Sequence, residues 1–186
     1  MTGPGLLIAV VGPSGAGKDT LLAGLRARLA GDPRWVFPRR AITRPAEAGA
    51  EDHEALTEEE FAARDFALQW QAHGLRYGIP RSIEADLAAG RRVFANLSRA
   101  VLAEAAARYP LLVLEVTAPL ALRAERLAAR GRERAEEIAA RLAREQPLPP
   151  GLRVLRVVND ASPERAVERA LALLEAAAGQ AIARPA

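Results

Sequence analysis

Short continuous apolar runs alternate along this chain with longer segments in which leucine and alanine recur at helical spacing. Leu6 to Val11 predicts a buried parallel strand and Leu111 to Thr117 a continuous apolar one, and Arg92 to Asn96 and Leu152 to Val158 predict two others. Trp35 to Ile42 reads as one further strand. Leu21, Leu22, Leu25 and Leu29 place a helix between the first two strands, reaching about Ala30 before Gly31-Asp32-Pro33. Ser82 to Ala89, Ser98 to Arg108, Pro119 to Arg130, Glu133 to Glu145 and Ser162-Pro163 to about Ala178 predict the remaining main helices. Strands alternating with helices imply an α/β fold with a mostly parallel central sheet.

Residues 43–82 break that rhythm. Arg44 to Glu54 is polar and turn-rich, and Thr57-Glu58-Glu59-Glu60 has the form of a capping box. Phe66 to Trp70 and Leu75 to Ile79 flank His73-Gly74 as a hairpin. The segment reads as an insertion within one domain spanning 1–186, with no repeat and no linker.

Composition narrows the chemistry. There is no cysteine, and His53 and His73 are the only histidines, which excludes disulfide scaffolds, thiol nucleophiles and multi-histidine metal sites. No apolar run reaches the ~20 residues of a membrane span, and Met1 to Val11 lacks the form of a signal peptide. A cytoplasmic protein with no membrane partner is the expectation. The net charge of +3 lies among Glu-rich helices, too diffuse for a dedicated nucleic-acid binder. Of the 26 basic residues only Lys18 is lysine, so a single arginine says little by its identity while the lone lysine stands out.

Lys18 closes Gly12-Pro13-Ser14-Gly15-Ala16-Gly17-Lys18, a GxxxxGK pattern set between a predicted strand and helix. Glycines let backbone N–H groups converge on phosphate oxygens, the helix N-terminus adds partial positive charge, and the ammonium reaches the terminal phosphates. ATP is the expected occupant. Asp19 stands where Ser or Thr would ordinarily ligate magnesium, with Thr20 one residue later. A carboxylate is a competent magnesium ligand, so Asp19 and Thr20 are the candidate Mg2+ residues. The alternative is that Asp19 only complements the helix dipole.

The chain has no DxxG or NKxD motif, which argues against a regulatory GTPase. Within Leu111 to Thr117 the only acid is Glu115, so no ordinary Walker B aspartate is evident. The insertion carries Arg44, Asp52, His53 and Tyr77, and Arg134 and Arg141 lie seven apart on one predicted helix face. Arginines closing over a transferred phosphoryl group are a known way to stabilise its charge. Together these features point to a small-molecule kinase with a short helical lid over about 130–145.

The pieces GPSGAGK (12–18), ITRP (42–45), EDHEALTEEEF (51–61), RYGIP (76–80), RLAARGRERAEEIAARL (126–142) and VVND (157–160) resemble, in order and spacing, the guanylate kinase superfamily. GPSGAGKDT, RRAITRP, WQAHGLRYGIP and Asn96 to Ala100 are more similar to the ribose 1,5-bisphosphate phosphokinases of phosphonate catabolism. This resemblance implies a three-layer P-loop kinase fold whose insertion binds the acceptor. It implies ATP-dependent conversion of ribose 1,5-bisphosphate to 5-phosphoribosyl 1-diphosphate. Arg44 and Tyr77 then hold acceptor phosphate, while Asp52, His53 and Asn96 bind sugar hydroxyls or metal-bound water. Arg130 and Arg141 match the superfamily's lid arginines, Arg134 is a weaker match, and Asn159 lies in a loop expected near adenine. Gln69 and Ile79 replace the acid and hydroxyl with which guanylate kinases read their acceptor. Leu97 stands where the closer family often has a small residue. Rival readings are a guanylate kinase or other nucleoside monophosphate kinase, and a non-catalytic binding module. The expected partners are ATP and a phosphorylated ribose, with a homodimer left open.

Overall fold

Leu6–Val11 forms the central strand, β1, of a five-stranded parallel sheet in the computed structural model, which describes residues 5–45, 52–129, 131, 135–143 and 147–178. The other strands of this sheet are β2 (Trp35–Val36), β7 (Arg92–Asn96), β8 (Leu111–Thr117) and β9 (Val154–Val158), in the order β2-β7-β1-β8-β9. Every adjacent pair is parallel, so all five strands end at one edge.

Alternation within the strands separates two cores. Leu7, Ala9 and Val11 face one way, with Val93, Ala95 and Val113, and are covered by α3 (Ile83–Ala88) and α4 (Leu102–Arg108). Ile8, Val10, Leu112 and Leu114 face the other way, against α1 (Lys18–Arg28) and α7 (Pro163–Ala178). Both faces are therefore buried, as a sheet built from nearly unbroken apolar runs requires. Helix α5 (Leu120–Ala129) follows β8 and is succeeded by α6 (Ala135–Ala143).

The insertion builds a second sheet. Its strands β3 (Ala41–Ile42), β4 (Glu54–Ala55), β5 (Phe66–Ala72) and β6 (Leu75–Pro80) lie in the order β4-β3-β6-β5. His73 (φ 54) and Gly74 (φ 73) make the two-residue turn between β5 and β6, with both residues at positive φ as a type I′ turn demands. Thr57 caps α2 (Glu58–Ala62): its Oγ1 accepts from the Glu60 amide at 3.1 Å while Glu60 accepts from the Thr57 amide at 2.7 Å. Phe61 and Phe66 pack with Ala41 into a small core of this sheet, and Leu68, Trp70 and Ile79 join the main core.

Two predicted elements are divided. The expected strand Trp35 to Ile42 is two strands, β2 in the main sheet and β3 in the small one. Pro38 explains the break, because it has no N–H to continue either ladder. The expected helix from Ser98 begins as a 3₁₀ turn, Arg99–Val101, before α4, with Ser98 Oγ accepting from the Ala100 amide. No helix among the described residues is long and apolar enough to cross a membrane.

Candidate active site

The loop 12–17 leaves the C-terminal end of β1 and enters α1 through Gly17, which sits in the left-handed region at φ 88. A Cβ on Gly17 would lie 2.4 Å from Asn159 Nδ2, and one on Gly12 would lie 2.2 Å from the Val116 carbonyl oxygen. Both positions therefore require glycine for close approach. Gly17 at the N-cap makes no side-chain cap hydrogen bond to the first turn of α1, and a helix N-terminus favours an anion.

The carbonyls of Gly12 to Ala16 are each engaged by a side chain. Lys18 Nζ donates to the carbonyls of Gly12 (2.8 Å) and Pro13 (3.3 Å). Arg123 Nε donates to Ser14 O at 3.0 Å, and Arg126 donates to Gly15 O and Ala16 O at 3.3 and 3.5 Å. Asn159 Nδ2 completes the set on Ala16 O at 2.8 Å. In a trans peptide the carbonyl and the following N–H point in opposite directions. The amides of Ser14, Gly15 and Gly17 therefore point away from the donors that hold the carbonyls before them. Asn159 is itself fixed, its amide on Thr117 O at 2.7 Å and its carbonyl under Arg126 at 3.1 Å. Its neighbour Asp160 pairs with Arg169 at 2.6 Å, and that guanidinium holds the carboxyl below the usual range.

Arg123 and Arg126 were not singled out from the sequence. The signal was present as their i, i+3 spacing on the helix after β8, but 25 arginines hid it. Arg123 is only 4% exposed, which composition could not reveal.

Asp19 lies in the first turn of α1 and accepts a 3.0 Å hydrogen bond from Asn96 Nδ2 at the end of β7. These two expected site residues are thus brought together from 77 positions apart. Thr20 is exposed one residue further along. Among the described residues no three acidic or histidine side chains gather as a metal cage. The donor set still fits magnesium, which takes one or two carboxylates plus phosphate oxygens and keeps several waters.

On the small sheet, the Tyr77 ring stacks on Trp70 with centroids 5.4 Å apart and planes at 4°. Arg44 is half-buried, and its Nε is buried with no hydrogen-bond partner among the described residues, which suits a position for an anionic oxygen. Asp52 and His53, expected on the acceptor, are engaged in holding this segment. Asp52 pairs with Arg39 at 2.9 Å and with Arg26 of α1 at 3.4 Å. His53 is 3% exposed, its Nε2 is 3.0 Å from the Arg44 carbonyl, and its own carbonyl accepts from Arg39 at 2.8 Å. Gln69 is exposed and Ile79 is buried in the main core. Leu97 is also buried in that core. Glu115 is held between Arg99 (3.0 Å) and Arg156 (2.7 Å), so its carboxylate is already committed. Arg130 and Arg134 lie outside the described residues; Arg141 falls on α6, with its side chain outside them too.

No protein-family model matches the chain. Relatives do. Over 140 residues it is 59% identical to a ribose 1,5-bisphosphate phosphokinase from Acidiphilium cryptum, covering 75% of this chain and 77% of that protein. Over 178 residues it is 47% identical to a protein of the same description from Methylobacterium radiotolerans, covering 93% and 99%. The chain belongs to the ribose 1,5-bisphosphate phosphokinase family. It is also 52% identical over 180 residues to a bifunctional ribose 1,5-bisphosphokinase-thymidine phosphorylase from Azorhizobium caulinodans, spanning only 26% of that longer protein. Among solved structures, a guanylate kinase from Anaplasma phagocytophilum superposes with TM-score 0.64 at 16% identity, covering 96% of this chain and 88% of that one. A gluconokinase from Sinorhizobium meliloti gives 0.53 at 19% identity, covering 93% of each. At such identities the two structures establish the kinase fold that the family shares.

Proposed function

We propose that this chain transfers the γ-phosphoryl group of ATP to ribose 1,5-bisphosphate, giving ADP and 5-phosphoribosyl 1-diphosphate. The observation that carries the reading is the link through Asn96. Its side chain touches Asp19 beside the phosphate loop, and its carbonyl accepts from Arg40 of the small sheet at 3.3 Å. Nucleotide and acceptor regions therefore meet at one edge of the main sheet.

An oxygen of the acceptor's 1-phosphate attacks the γ-phosphorus, the bond from that phosphorus to the β,γ-bridging oxygen breaks, and ADP leaves. A phosphate oxygen is ionised near neutral pH, its second pKa being about 6, so no strong general base is needed. Catalysis rests on positioning and on charge neutralisation. The inward amides of the loop and Lys18 hold the ATP phosphates. Asp19, oriented by Asn96, would hold Mg2+, with Thr20 next to it; bound magnesium supplies charge neutralisation at the phosphates. Arg44 and Tyr77 take acceptor phosphate. Arg130, Arg134 and Arg141 close over the transferred group. Asn159 serves the nucleotide by holding the loop rather than by touching the base. A cytoplasmic setting, where ATP and magnesium are abundant, fits this chemistry.

The test is an ADP-release assay comparing ribose 1,5-bisphosphate with GMP under the same conditions. Turnover of the bisphosphate with a kcat/KM at least about a hundredfold above GMP is expected, a discrimination available when buried polar groups are left unpaired by the wrong substrate. Equal or better use of GMP would replace this reading with a guanylate kinase. Exposed Gln69 and buried Ile79 favour the bisphosphate, since neither offers a carboxylate or a hydroxyl to a purine.

A further inference from the structure

An open parallel sheet takes its ligands at the carboxyl ends of its strands. One carboxylate on that edge has no part in the transfer proposed above. Glu115 is in register with Val11, the last residue before the phosphate loop, on one side and with Arg156 on the other. It is only 7% exposed and lies on the face of β8 that also carries Leu111 and Val113.

Two guanidinium groups hold it. Arg99 Nη2 donates to Oε1 at 3.0 Å, and Arg156 Nε donates to Oε2 at 2.7 Å. Their settings differ, since the Arg99 side chain is 16% exposed and that of Arg156 is 64% exposed. Solvent screens the second pair far more than the first, so breaking the first is the costlier change. An apolar pair of similar volume commonly serves stability as well as a buried ion pair does. What the charged pair adds is direction, because charge-assisted hydrogen bonds form only in a narrow geometry.

Arg99 lies three residues beyond Asn96, on the 3₁₀ turn that follows β7. β1 runs between β7 and β8, so the pair ties together two strands that share no ladder. The Leu97 amide makes a last ladder bond to Val10 O at 3.1 Å. After it, Ser98 Oγ accepts from the Ala100 amide and Ser98 O from the Val101 amide, bonds that shape the turn locally. Val101 and Leu102 anchor the far end of the turn in the core, and the Arg99 pair anchors its near end to β8. Asn96 stands just before that anchor. Its side chain shares a face with Phe94, the face that α1 covers, and there it donates to Asp19 at 3.0 Å.

We infer that Glu115 is a positioning residue for the metal site: through Arg99 it fixes the exit of β7, and so the aim of Asn96 at Asp19. The inference rests on the reading of Asp19 as a magnesium residue in the proposed function. Glu115 acts from the face covered by α3 and α4, whereas Asp19 stands on the α1 face, so the effect travels through the backbone of β7.

The test is Mn2+ affinity in the presence of ADP, read by electron paramagnetic resonance, together with Tm. It compares wild type, Asp19→Asn, Glu115→Gln, Arg156→Gln and the double variant Glu115→Leu/Arg99→Met. Glu115→Gln should weaken Mn2+ binding about fivefold, less than the loss of about tenfold to a hundredfold typical of a group bonded directly to a metal ligand. Arg156→Gln should leave it within about twofold, since that pair is screened. The double variant should recover the Tm lost in Glu115→Gln, because it removes both charges of the buried pair, yet keep the weakened Mn2+ affinity. Recovery of both together would overturn the inference, since the pair would then be packing alone. So would an unmoved Mn2+ affinity in a folded Glu115→Gln, or an equal loss in Arg156→Gln. Unchanged affinity in Asp19→Asn would overturn the metal reading itself, whereas a loss there without one in Glu115→Gln would overturn the role of Glu115 alone. None of these readouts uses the acceptor, so they stand apart from the test of the proposed function.

Discussion

The two halves of the site are built on different principles. In the nucleotide half, one contiguous loop is fixed by side chains that arrive from elsewhere: Arg123 and Arg126 from α5, and Asn159 from the end of β9. In the proposed acceptor half, the residues come from separate stretches of chain. Arg44 follows β3 and Tyr77 lies on β6, and the region is braced by ring stacking and by the ion pairs of Asp52. The first half presents backbone amides, which any polyphosphate can use. The second presents side chains at set spacing, which is where selectivity for one acceptor has to reside.

Lys18→Ala should break the nucleotide half most completely. Its ammonium is the mobile charge of the loop, and losing it should lower kcat by about 10³-fold, on the scale of lost charge stabilisation in phosphoryl transfer. Tm should change little, because the contacts of the ammonium with the Gly12 and Pro13 carbonyls are local to the loop. A variant that keeps its turnover would remove the loop from the mechanism.

Asp19→Asn tests whether the carboxylate beside Asn96 belongs to the metal. Binding of Mn2+ in the presence of ADP, followed by electron paramagnetic resonance, should weaken by about tenfold or more, since hard divalent cations favour charged oxygen ligands. Unchanged Mn2+ affinity would leave Asp19 as a helix-terminus charge alone. Gly17→Ala should do less to chemistry and more to folding. It places a Cβ 2.4 Å from Asn159 Nδ2 at φ 88, so a loss of about 1–3 kcal/mol in stability is expected by denaturant unfolding. Adding Asn159→Ala should relieve the clash but not the strained φ.

The same contrast explains what the chain showed beforehand. β1, β7 and β8 lie where the apolar runs place them, because a strand buried on both faces must be apolar throughout. The phosphate loop was legible because its glycines and lysine are consecutive. Arg123 and Arg126 were not, since their meaning lies in carbonyls contributed by residues far off in sequence. Asp52 and His53 show the converse. A motif made them notable, and in the fold Asp52 pairs with Arg39 while His53 meets the Arg44 carbonyl and accepts from Arg39 through its own carbonyl. Asn159 likewise bonds to the loop 12–17, through the carbonyl of Ala16.

His53→Ala gives the smallest effect and the sharpest separation of the halves. The imidazole is buried and its Nε2 meets the Arg44 carbonyl, so its removal leaves that backbone position less constrained. Losing one such buried contact costs about 1–3 kcal/mol in stability. If Arg44 is thereby misplaced, KM for the acceptor rises several-fold while KM for ATP does not move. His53→Gln, which can still donate toward the same carbonyl, should regain most of the acceptor KM. A rise in both KM values together would mean that the two halves are one cooperative unit, with the Asp52 pairs to Arg26 and Arg39 as the route from the insertion to α1. The separation predicted here requires those exposed pairs to be weak, as solvent-screened ion pairs generally are.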